Sequence, residues 1–363
     1  MVRGRVDGAF SRSCGDSSPV VRGAGLCTGD EAGEERGCGG GHRGGMTEHD
    51  DLILRRDARR HGEASTLDRA VADGELVRVR RGVYVAASRW AAARPEERML
   101  LRAHALAAVA TREPVFSHAT AAALHGLPVH RGDDARVHTL ELGPAPAPSR
   151  SDVVRHRHEV IASDITSVDA LQATNIARTL FDVLCAERAE TATAAMDAAL
   201  RAVAWQGRGV YDRAAAAALV ADVTGRIERA PGARGIRRAR FVVSIADGRA
   251  QLPGESISRL WMQQLGAAEP TLQHPVALGG GRWAFLDFAW PRLRRFGEFD
   301  GDGKYLDPAF TAGRSPRDVL REQRDRESRI VAATGWTPIR WGWERLASRP
   351  TFAAFLRAHA LLR

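Results

Sequence analysis

Lysine is nearly missing from this sequence. Of 53 basic residues all but one are arginine, and the exception is Lys304. With its many alanines and glycines the chain has the composition of a GC-rich coding sequence. Most arginine-for-lysine choices therefore carry no functional information, and the lone lysine asks for an explanation. Cysteine is scarce too, four in 363 residues, and disulfides are not expected as part of the fold. No uncharged apolar run approaches the ~18 residues that span a bilayer, and the first residues lack the continuous apolar stretch of a signal peptide. A cytoplasmic protein with no membrane partner is expected. The 44% hydrophobic content excludes a wholly disordered or fibrous chain, and the length allows two cores.

What is present is positive charge. The net charge of +9 makes polyanions the first partners to consider. Residues 1–45 hold six arginines against six acids and add nothing to it. The excess lies in Leu52–Trp90, in Arg226–Arg240 and in roughly the last sixty residues.

Residues 1–46 stand apart. Cys14, Cys27, Cys38 and 13 of the 36 glycines fall in the first 45 positions. With no hydrophobic period and no cap signals the stretch reads as disordered, and Met46 reads as the native start. Cys27, Cys38 and His42 lack the paired Cys-x-x-Cys spacing of a zinc knuckle. Cys185, in the apolar run Thr179–Cys185, is expected to be buried and inert.

From Thr47 the pattern changes. Leu52–His61 reads as a short basic helix ending at Gly62, and a second helix runs from about Ser65 to the C-cap glycine Gly74. The stretch from Glu75 to Val85 alternates and turns at Arg81-Gly82, a basic β-hairpin. Two short helices and a hairpin outline a winged helix-turn-helix over 47–90. In such a module the second helix enters the major groove and the wing touches phosphates. Arg55, Arg56, Arg69, Arg78, Arg80 and Arg81 are the candidate DNA contacts, Arg78 and Arg80 sharing one face of the wing; the plainer alternative is a solvated hairpin.

In 91–205, Ser117 and Thr174 are good helix N-caps, and Arg178 and Asp182 are spaced to pair along a helix. Arg136–Leu142 and Val153–Val160 alternate like strands around a proline-rich turn. His156 and His158 would share a strand face, but no carboxylate or third histidine sits at ligand spacing, which favours solvated histidines. Ser117-His118 is not expected to form a nucleophile–base pair, the two being adjacent. Residues 206–249, rich in arginine, read as a basic connector with a helical portion.

Residues 250–363 alternate as α-β-β-β-α-β-α: helix Pro253–Leu265, strands Thr271–Leu278, Trp283–Trp290 and Arg294–Asp300, helix Arg317–Thr334, strand Thr337–Trp343 and helix Glu344–Leu362. Asp287 lies inside an apolar strand, where a solvated acid is not expected. Glu298 and Asp300 leave one face of the next strand, Glu255 opens the preceding helix, and Lys304 follows the turn. Carboxylates converging on a sheet edge repel unless protonated or bound to a divalent ion, and oxygen-only donors favour Mg²⁺ or Mn²⁺ over Zn²⁺.

Two resemblances follow from these residues. The phrase LDRAVADGELVRVRRGVYV, with SHATAAALHG at Ser117–Gly126 and TNIARTLFD at Thr174–Asp182, resembles the AbiEi-like antitoxins of type IV toxin–antitoxin systems. Asn175 and Ile176 replace the Ser-Pro usual in that family. The resemblance implies a winged helix on double-stranded operator DNA, a scaffold region over 91–205 and a nucleotidyltransferase-like toxin encoded nearby. The phrases LDFAWPRLRRFGEFDGDGKY and REQRDRESRIVAATGWTPIRWGWERL resemble the PD-(D/E)XK nuclease superfamily, in its very-short-patch-repair-like branch. That implies a restriction-endonuclease-like domain with Asp287 and Glu298 as the superfamily's acids. Asp300 stands where the superfamily lysine would be, and Lys304 falls on the last position of the branch's E-x-D-G-x-x-H/K phrase.

The expected whole is a multidomain α+β chain: winged helix, mixed α/β middle region and nuclease-like C-terminal domain. Two functions stay open. One is a DNA-binding regulator whose tail is a non-catalytic platform, its acids paired with Arg292, Arg294 and Arg295. The other is a nuclease in which Asp287, Glu298 and Asp300 hold Mg²⁺ or Mn²⁺, Glu255 assists and Lys304 orients water or the phosphorane.

Overall fold

The computed structural model describes residues 51–129, 136–143, 149–207, 209–301 and 316–363. The expectations for residues 1–46, including Cys27, Cys38, His42 and a start at Met46, and for Lys304 lie outside the described residues. Among those residues the chain is a mixed α+β protein with four sheets and twelve α-helices.

The head opens with strand β1 (Ile53–Leu54), helices α1 (Arg55–Arg60) and α2 (Ala64–Ala72), and the hairpin β2 (Leu76–Arg80) and β3 (Val83–Ala86). The first helix starts three residues later than its pattern suggests, because Ile53 and Leu54 pair with Tyr84 and Val83 as a third strand. Helix α2 ends through Gly74 at φ +76°, a left-handed turn that glycine enters at little cost. Ala58, Leu67 and Tyr84 are its buried centre. The hairpin is not regular: the register shifts between Arg78 and Arg80, so the simple alternation expected for the two arginines is broken.

Next come α3 (Ala87–Ala92), α4 (Pro95–Val109), β4 (Val115–Phe116), α5 (His118–Leu124), β5 (Val137–Leu140), β6 (Val153–His156), β7 (Ile165–Val168) and β8 (Leu171–Thr174). Their five strands lie in the order β6-β5-β4-β8-β7. The two strands flanking the proline-rich segment run parallel, so they are not a hairpin. Helices α6 (Ile176–Ala186) and α7 (Ala189–Ala204) follow. The cap of α6 is Asn175, which accepts from the Arg178 backbone N–H. Thr174, expected in that role, is buried with its hydroxyl 2.6 Å from that of Thr179. Ser117 sits at the N-cap of α5 but makes no side-chain cap.

After the short strands β9 (Trp205–Gly207) and β10 (Val210–Tyr211) come α8 (Arg213–Arg229) and α9 (Ile236–Ile245). This is more than a connector. Val223, Ile227, Ala239 and Val242 are buried in one cluster with Leu180, Leu184, Met196 and Leu200 of α6 and α7. Alanines on these helices let the axes approach closely; Arg229, Arg237 and Arg240 are exposed, whereas Arg226 turns in to Asp164 and Arg238 to the Leu184 and Cys185 carbonyls.

The last region is α10 (Pro253–Leu265), β11 (Thr271–Gly279), β12 (Arg282–Trp290), β13 (Arg295–Asp300), α11 (Pro316–Thr334), β14 (Thr337–Gly342) and α12 (Arg349–Ala358). The sheet order is β11-β12-β13-β14, the final pair parallel. Phe288, Trp290, Phe299, Trp341 and Phe352 pack with α10 residues in one cluster, and Leu286, Phe296 and Ile330 of α11 form another. At Gly254 an added Cβ would lie 2.1 Å from the Phe299 ring. This close approach lets α10 deliver Glu255 toward β13. Helix α10 is tied to α7 by Arg259, 2.5 Å from the buried Asp197, and by Trp261, whose indole N–H donates to Glu190 at 3.0 Å. Among the described residues no helix is long and apolar enough to cross a membrane.

Candidate functional site

The acids singled out in the last region sit where β12 and β13 part. Their pairing is registered only as far as Phe288 with Gly297. Beyond it the Asp287 carboxylate takes over the ladder, accepting the Phe299 backbone N–H at 3.1 Å. Its other oxygen is 3.5 Å from the amide nitrogen of Gln273, a buried residue held at φ +48°. Gln273 in turn accepts from Gln251 at 3.1 Å, and the Gln251 backbone N–H donates to Glu255 at 2.8 Å. Glu255 and Asp287 are thus joined through two glutamines that the sequence reading did not single out.

Glu298 is 7% exposed. Burial first, and the neighbouring Asp287 charge second, push its carboxyl up to about 8, against the pull of Arg326. Arg326 of α11 donates to it at 3.1 Å. Asp300, expected beside Glu298 as a ligand, is instead 3.2 Å from Arg340 of β14, which also bonds Glu327 at 2.6 Å. The arginines on the acids are therefore Arg326 and Arg340, not Arg292, Arg294 and Arg295. Arg201, from α7, feels the charges of both Glu255 and Asp287, while burial lowers its own pKa. It supplies a described cation near these acids, a role the sequence reading gave to Lys304.

The arginines of the head divide into two groups. Arg55 forks onto Asp68 at 2.6 and 2.7 Å, and Arg80 pairs with Asp152. Arg56 donates to the Ala108 carbonyl at 3.0 Å. Arg69, Arg78 and Arg81 are exposed, and no acidic partner faces them among the described residues.

The middle sheet holds a feature the sequence reading set aside. His118, His138 and His156 bring one ligand nitrogen each within 4.8 Å of one another, the only such metal-holding group among the described residues. The partners of His156 are two histidines from other elements, His118 of α5 and His138 of β5. Spacing along the chain does not show the group, because strand register assembles it: Leu140 pairs with His156 and His138 with Val154. His138 Nδ1 is 3.0 Å from His156 Nε2, and the His118 and His156 rings stack with centroids 3.6 Å apart. Burial and the neighbouring imidazoles hold His118 down at about 2 and His156 at about 4, so these two rings are neutral at physiological pH. His118 adopts φ +52°, a strained conformation for a residue with a Cβ. Its Nδ1 is 3.0 Å from Ser117 Oγ, so the adjacent residues do make the contact judged out of reach. Ser117 is fully buried, which denies a substrate access to it.

Beneath the histidines lies a closed ionic network. Asp182, 3.0 Å from Arg178, is pushed up to about 6 by burial against the pull of that arginine. Arg178 also reaches the Glu159 carbonyl at 2.8 Å, and Arg226 meets Asp164 at 2.7 Å. Cys185 is partly buried, and burial pushes its thiol up to about 11, which keeps it protonated.

No known family's sequence model matches the chain. Two curated relatives align with it over 243 residues at 33% identity, covering 67% of this chain and 80% of each relative. They are the uncharacterized proteins MT2308 and Rv2248 of Mycobacterium tuberculosis, strains CDC 1551 / Oshkosh and ATCC 25618 / H37Rv respectively.

Proposed function

Starting from the chain's membership of one family with the uncharacterized Mycobacterium tuberculosis protein Rv2248, we propose that it is a double-stranded-DNA-binding regulatory protein of the antitoxin type with a nuclease-like C-terminal domain. The observation that carries this reading is the set of exposed arginines that have no acidic partner among the described residues, Arg69 on α2 and Arg78 and Arg81 on the hairpin. A winged helix needs these positions: the second helix lies in the major groove and the hairpin rests on phosphates. Arg55, neutralised by Asp68, holds the head together instead, and Arg80, neutralised by Asp152 beside β6, ties the hairpin to the middle sheet. The test is fluorescence anisotropy with a labelled duplex pool. Arg69→Ala/Arg78→Ala/Arg81→Ala should weaken binding at least tenfold; unchanged binding would remove this reading.

A second reading, a metal-dependent DNA endonuclease, is favoured by the juxtaposition of Asp287 and Glu298. Two carboxylates close enough for one to raise the other's pKa form an oxygen-only donor set, which suits a hard divalent ion such as Mg²⁺ or Mn²⁺. Such an ion, when bound, activates water and neutralises developing phosphate charge. The chain's own part would be to hold it through Asp287 and Glu298. Gln273 and the Phe299 N–H orient Asp287, Arg326 yields Glu298, and Glu255 keeps Gln251 in place. Arg340 takes the Asp300 carboxylate at 3.2 Å. Supercoiled plasmid with Mg²⁺ or Mn²⁺ tests this: nicking by the protein that Asp287→Ala abolishes supports it, and no nicking eliminates it.

A further inference from the structure

The histidine cluster of the middle sheet is used by neither reading. We propose that His118, His138 and His156 together form a binding site for a zinc-class divalent transition metal ion, with Asp182 positioning His118.

The geometry carries the inference in three steps. First, the ligands come from three separately fixed elements: the start of α5, the second residue of β5 and the last residue of β6. The Ser117 N–H donates to the His138 carbonyl at 3.0 Å, and the Thr120 hydroxyl accepts the His138 N–H at 2.9 Å. These bonds lock α5 onto β5, so the backbones that carry His118 and His138 cannot drift apart. Tetrahedral zinc with Zn–N of 2.0–2.1 Å places its nitrogens about 3.3 Å apart. The observed nitrogens lie within 4.8 Å of one another; binding one ion would bring them to that spacing and turn the stacked His118 and His156 rings, 14° from parallel, so that their in-plane lone pairs converge.

Second, one carboxylate oxygen nearby is left over. Asp182 Oδ2 is buried and accepts no hydrogen bond among the described residues, while Oδ1 takes the Arg178 guanidinium. The spare oxygen is 3.9 Å from His118 Nδ1. A proton on that nitrogen, turned toward Asp182 or Ser117, leaves Nε2 as the lone pair facing the other imidazoles. At 3.9 Å the two are not hydrogen-bonded, and Ser117 Oγ at 3.0 Å is the nearer partner; closing that gap on metal binding would complete the carboxylate–histidine–metal arrangement, in which the outer carboxylate fixes the tautomer and strengthens the ligand.

Third, the donor chemistry selects the ion. Three imidazoles suit Zn²⁺, Cu²⁺ or Ni²⁺ and disfavour Mg²⁺ and Ca²⁺. The strained φ of His118, with no catalytic role to explain it, is accounted for if the residue is held to aim its ring at the cluster. His118 and His138 are buried, which marks a structural site rather than one open to substrate. His158, whose ring centroid is 5.8 Å from that of His118, lies at the rim as the candidate fourth ligand. The bound ion would clamp the α5 start to the outer two strands of the sheet.

The experiment uses the full chain with Cys14→Ser, Cys27→Ser and Cys38→Ser, so that N-terminal thiolates contribute nothing. After chelator stripping, Zn²⁺ is titrated by calorimetry, and thermal unfolding is followed with and without it. One equivalent bound, with a raised Tm, is expected. His138→Gln and His156→Gln should each weaken binding at least tenfold, and Asp182→Asn by on the order of tenfold with unchanged stoichiometry. Should a histidine variant fail to fold, the Co²⁺ spectrum of the otherwise intact chain decides. Tetrahedral nitrogen-ligand bands support the site, and their absence overturns it. Failure to bind one equivalent of zinc, or undiminished binding by folded histidine variants, overturns it equally.

Discussion

Arg326 bridges the two strands at the carboxylate centre: one guanidinium nitrogen lies 3.1 Å from Glu298 and the other 2.6 Å from the Phe285 carbonyl. It joins α11 to β13 and β12 at once, and it supplies the positive charge facing a buried acid. Removing it leaves Glu298 without its ion-pair partner beside Asp287. Breaking a buried pair costs about 3–5 kcal/mol, and the partial exposure of Arg326 trims this to about 2–3 kcal/mol. Arg326→Ala should therefore lower stability by that amount in urea denaturation at pH 9, above the Glu298 pKa, where the carboxylate is ionised. Adding Glu298→Gln should recover much of the loss, because a neutral amide needs no cation. If the two losses simply add, the pair is not coupled in this way.

The same glutamate gives a pH dependence with a definite sign. Its folded pKa, about 8, lies above the ordinary value of 4.5. Between those values the native state binds more protons than the unfolded chain, so stability falls as pH rises through that window and levels off above it. In chelator-treated protein, denaturant midpoints across this range should decline with pH. Glu298→Gln should flatten that part of the decline, while an identical slope in the variant would exclude Glu298 as its source.

The C-terminal elements were legible because their signals are local. Pro253 at a helix start, the apolar run ending at Trp290 and the helix–strand passage at Gly335 locate α10, β12 and β14 closely, and the seven-element order matches the expected one. The arginine partners were not legible. Arg292, Arg294 and Arg295 are nearer in sequence, but the parallel pairing of β13 with β14 sets Arg340 opposite Glu298, and α11 crosses the sheet to bring in Arg326. Both partners stood in the quoted REQRDRESRIVAATGWTPIRWGWERL phrase without an assigned contact. The histidine site was hidden for the same reason: neighbouring strands build it. The β1 strand was missed because two residues carry no period.

Below the histidines, Arg178 is the hub of a network that has little water to fall back on. It holds Asp182 at 3.0 Å and the Glu159 carbonyl at 2.8 Å, and both Arg178 and Asp182 are buried. Arg178→Ala should cost about 3–5 kcal/mol. Arg178→Lys should rescue only part of that, since an ammonium cannot make both contacts with a planar fork. Thermal denaturation of the two variants checks this, and full recovery by lysine would show that charge alone is what matters at this site.

For the head, the division of arginines makes a salt-dependence prediction. Each phosphate neutralised contributes about 0.9 to the slope of log affinity against log salt. Arg78 and Arg81 are exposed and available to phosphates, whereas Arg80 is engaged by Asp152. Arg78→Ala/Arg81→Ala should reduce the slope by about 2, with a similar loss of affinity on every duplex tested. Arg80→Ala should leave the slope nearly unchanged and act instead through lost stability, because it frees Asp152. Anisotropy titrations at several salt concentrations separate these outcomes. A full unit of slope lost with Arg80 and none with Arg78 and Arg81 would show that the hairpin meets DNA by its opposite face, or that the Asp152 pair opens when DNA binds.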